Sequence, residues 1–519
     1  MGQSLRASMT WLHTWAGVLL GALLFAIFWM GSLSVFDREI DRWMMPETRF
    51  ALPDSGPSFD AIARTAARIV PADARRWQAV LPTARAPVVR IYYEEADGDF
   101  AMRDLDPTAA AALPDAGTWA GTRFIFPFHY RLHLNWAGVG YWLVGLAGMA
   151  MLAALVSGVV IHRKIFVDFF TFRPGRKLPR SSLDLHNLTG VLALPFHFVI
   201  TLSGMIIVFA TYFPTVISPV FQGDRAAFVK ETYGIYRAAA SGTPGALASL
   251  DAMAEEAARL WHGERPYFVR VWHPGDAKSY VEMRPASDRT VTMKRDVAYF
   301  DGPGGFLLHT NAPKPVMRVQ SFISGLHFIQ FEHWTLRWLY FVLGLSGCVM
   351  IATGYVYWLE TRRKRHAAQG LAGVRVVEGL TVGAVTGIII ATLAFFVANR
   401  LLPLGVAVLG VERYALEIWA FYLVWLASFA HAWMRPGRAW REQCWAIAGL
   451  ALLAVLLNAL TTGDHLARSL TEGLWAVAGM DLMLLAGAAI AALTAGRLRR
   501  RTGAQRPADR LTVAAEAER

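Results

Sequence analysis

The chain has 519 residues, 55% of them hydrophobic and only 17% charged, with a mean hydropathy of +0.35. That balance excludes a single soluble globule and suits a polytopic membrane protein. A net charge of +12 raises nucleic acid as a partner, but the basic residues sit in short loops beside apolar runs, which argues against it.

In chain order, the first apolar run is Trp11–Phe36, WLHTWAGVLLGALLFAIFWMGSLSVF. It exceeds the roughly 20 apolar residues that cross a bilayer, and it carries His13. No small-residue cleavage site follows it, so it reads as an uncleaved anchor. A long loop over 37–128 comes next. It opens a helix at Ser58-Phe59-Asp60-Ala61-Ile62-Ala63 and continues to the alternating run PVVRIYYEE. The second span, 136–161, is preceded by His129 and His133 and followed by His162. The third, 187–214, lies in the stretch Leu183–Pro214, with His186 at its start and His197 inside. On a straight helix those two histidines share a face, about 16 Å apart.

A second long loop, 215–326, repeats the first. Ser249-Leu250-Asp251-Ala252-Met253-Ala254 opens a helix, and YFVRVWHPG and KSYVEMRP read as strands. Each loop is expected to be a small α+β domain. The fourth span, 335–359, follows His327 and His333. Four more, at 378–400, 414–434, 443–462 and 472–496, form an extension over 366–500, before a tail at 501–519. The predicted fold class is therefore an all-α polytopic membrane protein of eight spans with two α+β domains outside. Its segments are span 1 (1–36), the first outer domain (37–128), spans 2 and 3 (129–214), the second outer domain (215–326) and span 4 (327–365). Lysine and arginine set the orientation. Arg163, Lys164, Arg173, Arg176, Lys177 and Arg180 follow the second span, Arg362 to Arg365 the fourth, Arg435, Arg438 and Arg441 the sixth, and Arg497 to Arg501 the eighth. Both termini are predicted cytoplasmic and both long loops periplasmic, in a bacterial inner membrane.

The first and third spans share an internal repeat. His13, Gly17 and Gly31 recur at the same offsets as His186, Gly190 and Gly204, while Leu24 stands where the third span has His197. Counted back from Gly158 and Gly354, His133 and His327 stand at similar heights, 25 and 27 residues away. Ionisable groups in a bilayer are costly and mark function. Histidines at two heights on four helices, with small residues making room, suit a bis-histidine b-type haem protein. The two cysteines, Cys348 and Cys444, form no haem-attachment or iron–sulfur pattern. The inner site has three competing ligands, His13, His186 and His197. Haems held only at the levels of His186 and His133 would lie about 38 Å apart, and His197 would shorten that gap. Between His129 and His133 the outer ligand is open, since they lie one helical turn apart. His129, His162 and His333 are of second rank, His162 most simply an interfacial residue, and Arg131, Arg337, Arg163 and Lys164 read as membrane-edge cations able to meet haem propionates. Asp481 in the last span reads as a helix–helix contact or a proton-linked group.

The runs WLHTWAGVLLGALLF, LVSGVVIHRKIFVDFFTFRPG, LDLHNLTGVLALPFHFVITLSG and SFISGLHFIQFEHWTLRWLYFVLGLSGCVMIATG resemble the PepSY-associated transmembrane family, the iron-regulated membrane proteins, over residues 8–365. The resemblance implies PepSY-like periplasmic domains and two haem b groups held by His13, His133, His186, His197 and His327. It also implies reduction of a ferric siderophore, or another periplasmic iron chelate, with electrons from a cytoplasmic donor that the sequence does not identify. The four-helix extension lies outside the compact version of the family. Two rival readings stand beside this one, a haem-free iron or siderophore transporter and a membrane module that binds a periplasmic partner without redox activity.

Overall fold

The computed structural model describes residues 4–95, 98, 100–162, 171–213, 218–311 and 314–517. Arg163 and Lys164 lie outside the described residues. The helices up to the second long loop are α1 (Leu5–Ser34), α2 (Asp37–Met44), α3 (Phe59–Ile69), α4 (Phe126–Arg131), α5 (Val139–Ile161), α6 (Leu178–Leu192) and α7 (Leu194–Ile207). That loop holds three short helices, α8 (Phe209–Tyr212), α9 (Ser218–Phe221) and α10 (Arg225–Tyr233), then α11 (Leu250–Leu260) and α12 (Pro315–Phe328). The remainder are α13 (Trp334–Ala368), α14 (Gly373–Leu401), α15 (Arg413–Met434), α16 (Ala439–Thr462), α17 (Leu466–Thr471) and α18 (Trp475–Ala517). The chain divides into two compact units, one of residues 1–46, 117–198 and 340–519, the other of residues 47–116 and 199–339.

The first unit is helical. Seven helices are long and apolar enough to cross a membrane, and the predicted third span is a pair, α6 and α7, bent by 64°. The break falls at Ala193 (φ −97°, ψ 10°). Pro195 follows immediately; it has no N–H to return to the preceding turn and its ring crowds that turn's carbonyl, the ordinary cause of a kink. The expectation that His186 and His197 share one straight helical face is therefore corrected: they stand on different helices. Around α14 the packing is densest. Trp29 on α1 donates its indole N–H to Thr392 Oγ1 at 3.0 Å. Trp43 on α2 donates to Asp481 Oδ1 at 2.8 Å, and Asn458 Nδ2 reaches Oδ2 of the same carboxylate at 3.3 Å. Asp481 is thus a polar tie between α2, α16 and α18, buried to 1% exposure.

The second unit contains a seven-stranded antiparallel sheet. Its strands are β1 (Arg76–Val80), β2 (Val89–Glu94), β3 (Phe100–Leu105), β4 (Pro266–Trp272), β5 (Tyr280–Pro285), β6 (Val297–Asp301) and β7 (Leu307–Asn311), in the order β3-β2-β1-β4-β5-β6-β7. The two long loops do not make separate sheets. β1 pairs with β4, Ala79 opposite Val269, so that three strands of one loop continue into four of the other. A bare edge strand is a liability; joining covers the edges of β1 and β4 and leaves β3 and β7 at the rims. One core serves both halves, with Phe59, Ile62, Trp77 and Ile91 packed in the same cluster as Leu250, Met253, Val269 and Phe300. The repeated S-[FL]-D-A openings make the helix starts. Ser58 and Ser249 cap α3 and α11 through their hydroxyls. The aspartates cap each other's helix: Asp60 accepts from the Leu250 N–H at 2.6 Å, and Asp251 from the Phe59 N–H at 2.7 Å.

Candidate functional site

Four histidines are held in one local arrangement. His13 Nδ1 lies 2.9 Å from the Ala154 carbonyl, and a Cβ placed on Gly158, four residues on, would stand 3.3 Å from its ring. His186 Nδ1 lies 2.8 Å from the Met350 carbonyl, with Gly354 against its ring at 3.2 Å. His129 Nδ1 lies 2.9 Å from the Ile27 carbonyl, and a Cβ on Gly31 would come within 2.6 Å. His327 Nδ1 lies 2.8 Å from the Ile200 carbonyl, with Gly204 at 2.8 Å. Each ring lies on a neighbouring helix where a glycine leaves room, one turn beyond the carbonyl that it meets.

A carbonyl oxygen only accepts, so Nδ1 carries the proton in all four. The lone pair is then on Nε2. This is the tautomer that metal-binding imidazoles adopt when a second partner orients the ring. His13 and His186 also meet edge-on, their ring centroids 6.0 Å apart and their planes at 85°. An apolar hollow of about 260 Å³ is lined by Leu155, Val156 and Val159 of α5 and by Leu194, Pro195 and Phe198 of α7.

His133 does not share this arrangement. Its Nε2 lies 2.7 Å from the Phe124 carbonyl, and its ring stacks on Phe124 at 4.9 Å and 10°. Its backbone is left-handed, φ 53°. The environment that matches His327 belongs to His129, which the sequence reading ranked second. A signal was present: a tryptophan follows each at seven residues, Trp136 after His129 and Trp334 after His327. Counting back from the glycines hides this, because the two connections differ in length. His197, fully buried, has Nε2 3.2 Å from the Leu343 carbonyl and 3.3 Å from Ser346 Oγ, with its ring edge-on to Phe28. Gly347, four residues beyond Leu343, would put a Cβ 3.3 Å from this ring, so the carbonyl-and-glycine setting recurs here through Nε2 rather than Nδ1. His333 accepts from the Leu336 N–H at the start of α13, and His162 ends α5.

Gly31 and Gly204 do make room, for His129 and His327. Gly17 faces open space, and Gly190 meets the Met350 thioether. Gly158 and Gly354, used in the sequence only as reference points, turn out to seat His13 and His186. Arg337 is committed to backbone, donating to the Ile329 carbonyl at 2.7 Å just beyond α12, and Arg131 lies over the Tyr130 ring. The extension's histidines serve locally: His431 pairs with Glu442 at 3.0 Å, and His465 caps α17. Among the described residues, no group of three or more His, Cys, Asp or Glu gathers as a metal site.

A Pseudomonas aeruginosa protein, the uncharacterized protein PA4219, is 29% identical to this chain over 364 residues, covering 66% of this chain and 86% of the relative. The model of the PepSY-associated TM region matches residues 10–361, the interval that holds all four histidines and the sheet, and the chain belongs to that family.

Proposed function

We propose that this protein is a b-type di-haem electron carrier of the bacterial inner membrane, passing electrons from the cytoplasmic side to a periplasmic acceptor. The observation that carries the reading is the close pair His13 and His186, ring centroids 6.0 Å apart, each with Nδ1 turned to a carbonyl. These two imidazoles would hold one haem through their Nε2 atoms. His129 and His327 each have the same local setting and are each a candidate ligand for a second haem, with His129 in the place first given to His133. Haem supplies a one-electron couple when bound. The chain supplies tautomer, ring orientation and a dry surround.

For the acceptor, the family resemblance favours a ferric siderophore or another oxygen-donor chelate of iron(III). One electron converts iron(III) to iron(II), which hard oxygen donors hold more weakly, so the metal is released while the chelator is unchanged. The donor on the cytoplasmic side is unassigned. The arginine-rich short loops favour that orientation.

The test is a dithionite-reduced spectrum with haem quantification on protein purified from haem-replete cells. The expected result is non-covalent haem b at two per chain. A folded, colourless preparation defeats the reading and returns the transporter and binding-module alternatives. His13→Ala and His186→Ala should each lose the same one of the two haems.

A further inference from the structure

We propose that the first two helices of the C-terminal extension, α14 and α15, act as a positioning clamp for His129, with Tyr422, Glu417 and Thr118 as positioning residues. The inference rests on the reading of His129 as a haem ligand and assigns a role to the extension, which that reading leaves without one.

The need for a clamp lies in the chain around His129. Its counterpart His327 belongs to α12, a helix of 14 residues. His129 belongs to α4, which has six. A helix that short does not hold itself together in isolation. It is entered through a π-helical turn, Ala120–Ile125. It is left through Leu132 and His133, both left-handed, and Ala120 and Ala137 are left-handed as well. Non-glycine residues in that region are strained and persist only where the surroundings enforce them.

The surroundings are the extension. At the entrance, the Thr118 hydroxyl donates to Glu417 of α15, whose other oxygen accepts from Asn399 Nδ2 of α14 at 3.0 Å. Trp119 stacks on Tyr414 at 4.9 Å and 9°. At the exit, the Tyr422 hydroxyl donates to the Leu132 carbonyl at 3.2 Å, one of the carbonyls α4 leaves without an intrahelical partner. Between them, Phe124 packs on Phe395 at 4.6 Å and on Phe421 at 5.1 Å, and Phe128 on Phe421 at 5.7 Å and Trp425 at 6.0 Å. Glu417 and Phe421 are fully buried. One face of the segment is thus gripped by α14 and α15, while His129 reaches from it to the Ile27 carbonyl of α1. The grip sets where the ring sits against Gly31.

The experiment uses the full chain in detergent or nanodiscs and two substitutions that remove one hydroxyl each, Tyr422→Phe and Thr118→Val. Hydrogen exchange of the 119–134 amides is measured beside that of α1 and α5, together with haem content and the midpoint potential of each haem. The clamp predicts exchange about tenfold faster in 119–134 with α1 and α5 unchanged. It also predicts a shifted potential for one haem and none for the other. Unchanged exchange in both variants overturns it, as does loosening spread evenly over the bundle, which marks the extension as general support. The exchange result stands without cofactor, so a preparation lacking haem defeats the redox reading while the clamp is still judged.

Discussion

His129 and His133 lie four residues apart in one short segment, and their surroundings give them opposite uses. One ring donates through Nδ1 to the Ile27 carbonyl; the other turns Nε2 to the Phe124 carbonyl and stacks flat on the Phe124 ring. His129→Ala is therefore expected to halve the haem-to-protein ratio, and His133→Asn to leave it unchanged, as read by pyridine haemochrome. His197→Leu, which copies Leu24 of the first repeat, should also keep both haems if the ring serves only its contacts with Leu343 and Ser346. Loss of a haem in that variant would return His197 to the ligand set. The repeat made His13 and His186 legible in the sequence because both spans keep His and Gly at equal offsets. His129 was hidden by a difference in connection length. The seats at Gly158 and Gly354 were hidden because a glycine's partner on another helix leaves no mark on its own neighbours.

At the scale of elements, hydropathy reports length and apolarity well and continuity poorly. Seven spans stand where the apolar runs place them, and the third is broken, because a proline just inside a helix is tolerated by composition yet removes a backbone bond. Of the outer strands, β2, β4 and β5 were likewise legible, while β1, β3, β6 and β7 fall outside the runs that read as strands. Their joining was not, since alternation fixes which face is buried and says nothing about which edge is met. The crossed aspartate caps make that joining measurable. Asp60→Ala or Asp251→Ala should each destabilise the sheet domain by about 1 kcal/mol, the usual loss for a cap. Each replacement removes a cap from the other loop's helix, so the damage should appear as faster amide exchange there. Asp60→Ala would loosen the start of α11 first. Loosening confined to α3 would contradict the exchange of caps.

At the scale of the molecule, the family interval and the extension meet through polar groups buried at the ends of apolar helices. Asp481 accepts from Trp43 and Asn458, and Arg400 donates to the Met44 carbonyl. Such ties are costly to break once buried, because the partner left behind loses a compensating hydrogen bond that water cannot replace. They read in the sequence as isolated polar residues, and only the packing shows them as one set of fastenings.

The shared sheet also fixes an arithmetic of crossings. Strands of one sheet lie in one compartment, so β1 to β3 and β4 to β7 are on the same side of the bilayer. The chain between them must then traverse the membrane an even number of times. It has α5 and the bent pair α6–α7 with which to do so, and the pair must count as one full passage despite its break. The candidate spans among the described residues then number up to eight, and the loop lysines and arginines predict that the two ends of the chain share one side. Cysteines introduced singly at Lys278, Leu409 and Arg438 would check the count, since Cys348 and Cys444 are both buried. The first two should react with an impermeant maleimide from one side and the third only from the other. A hydrogen-bonding pattern outside the membrane thus decides the parity of the chain within it.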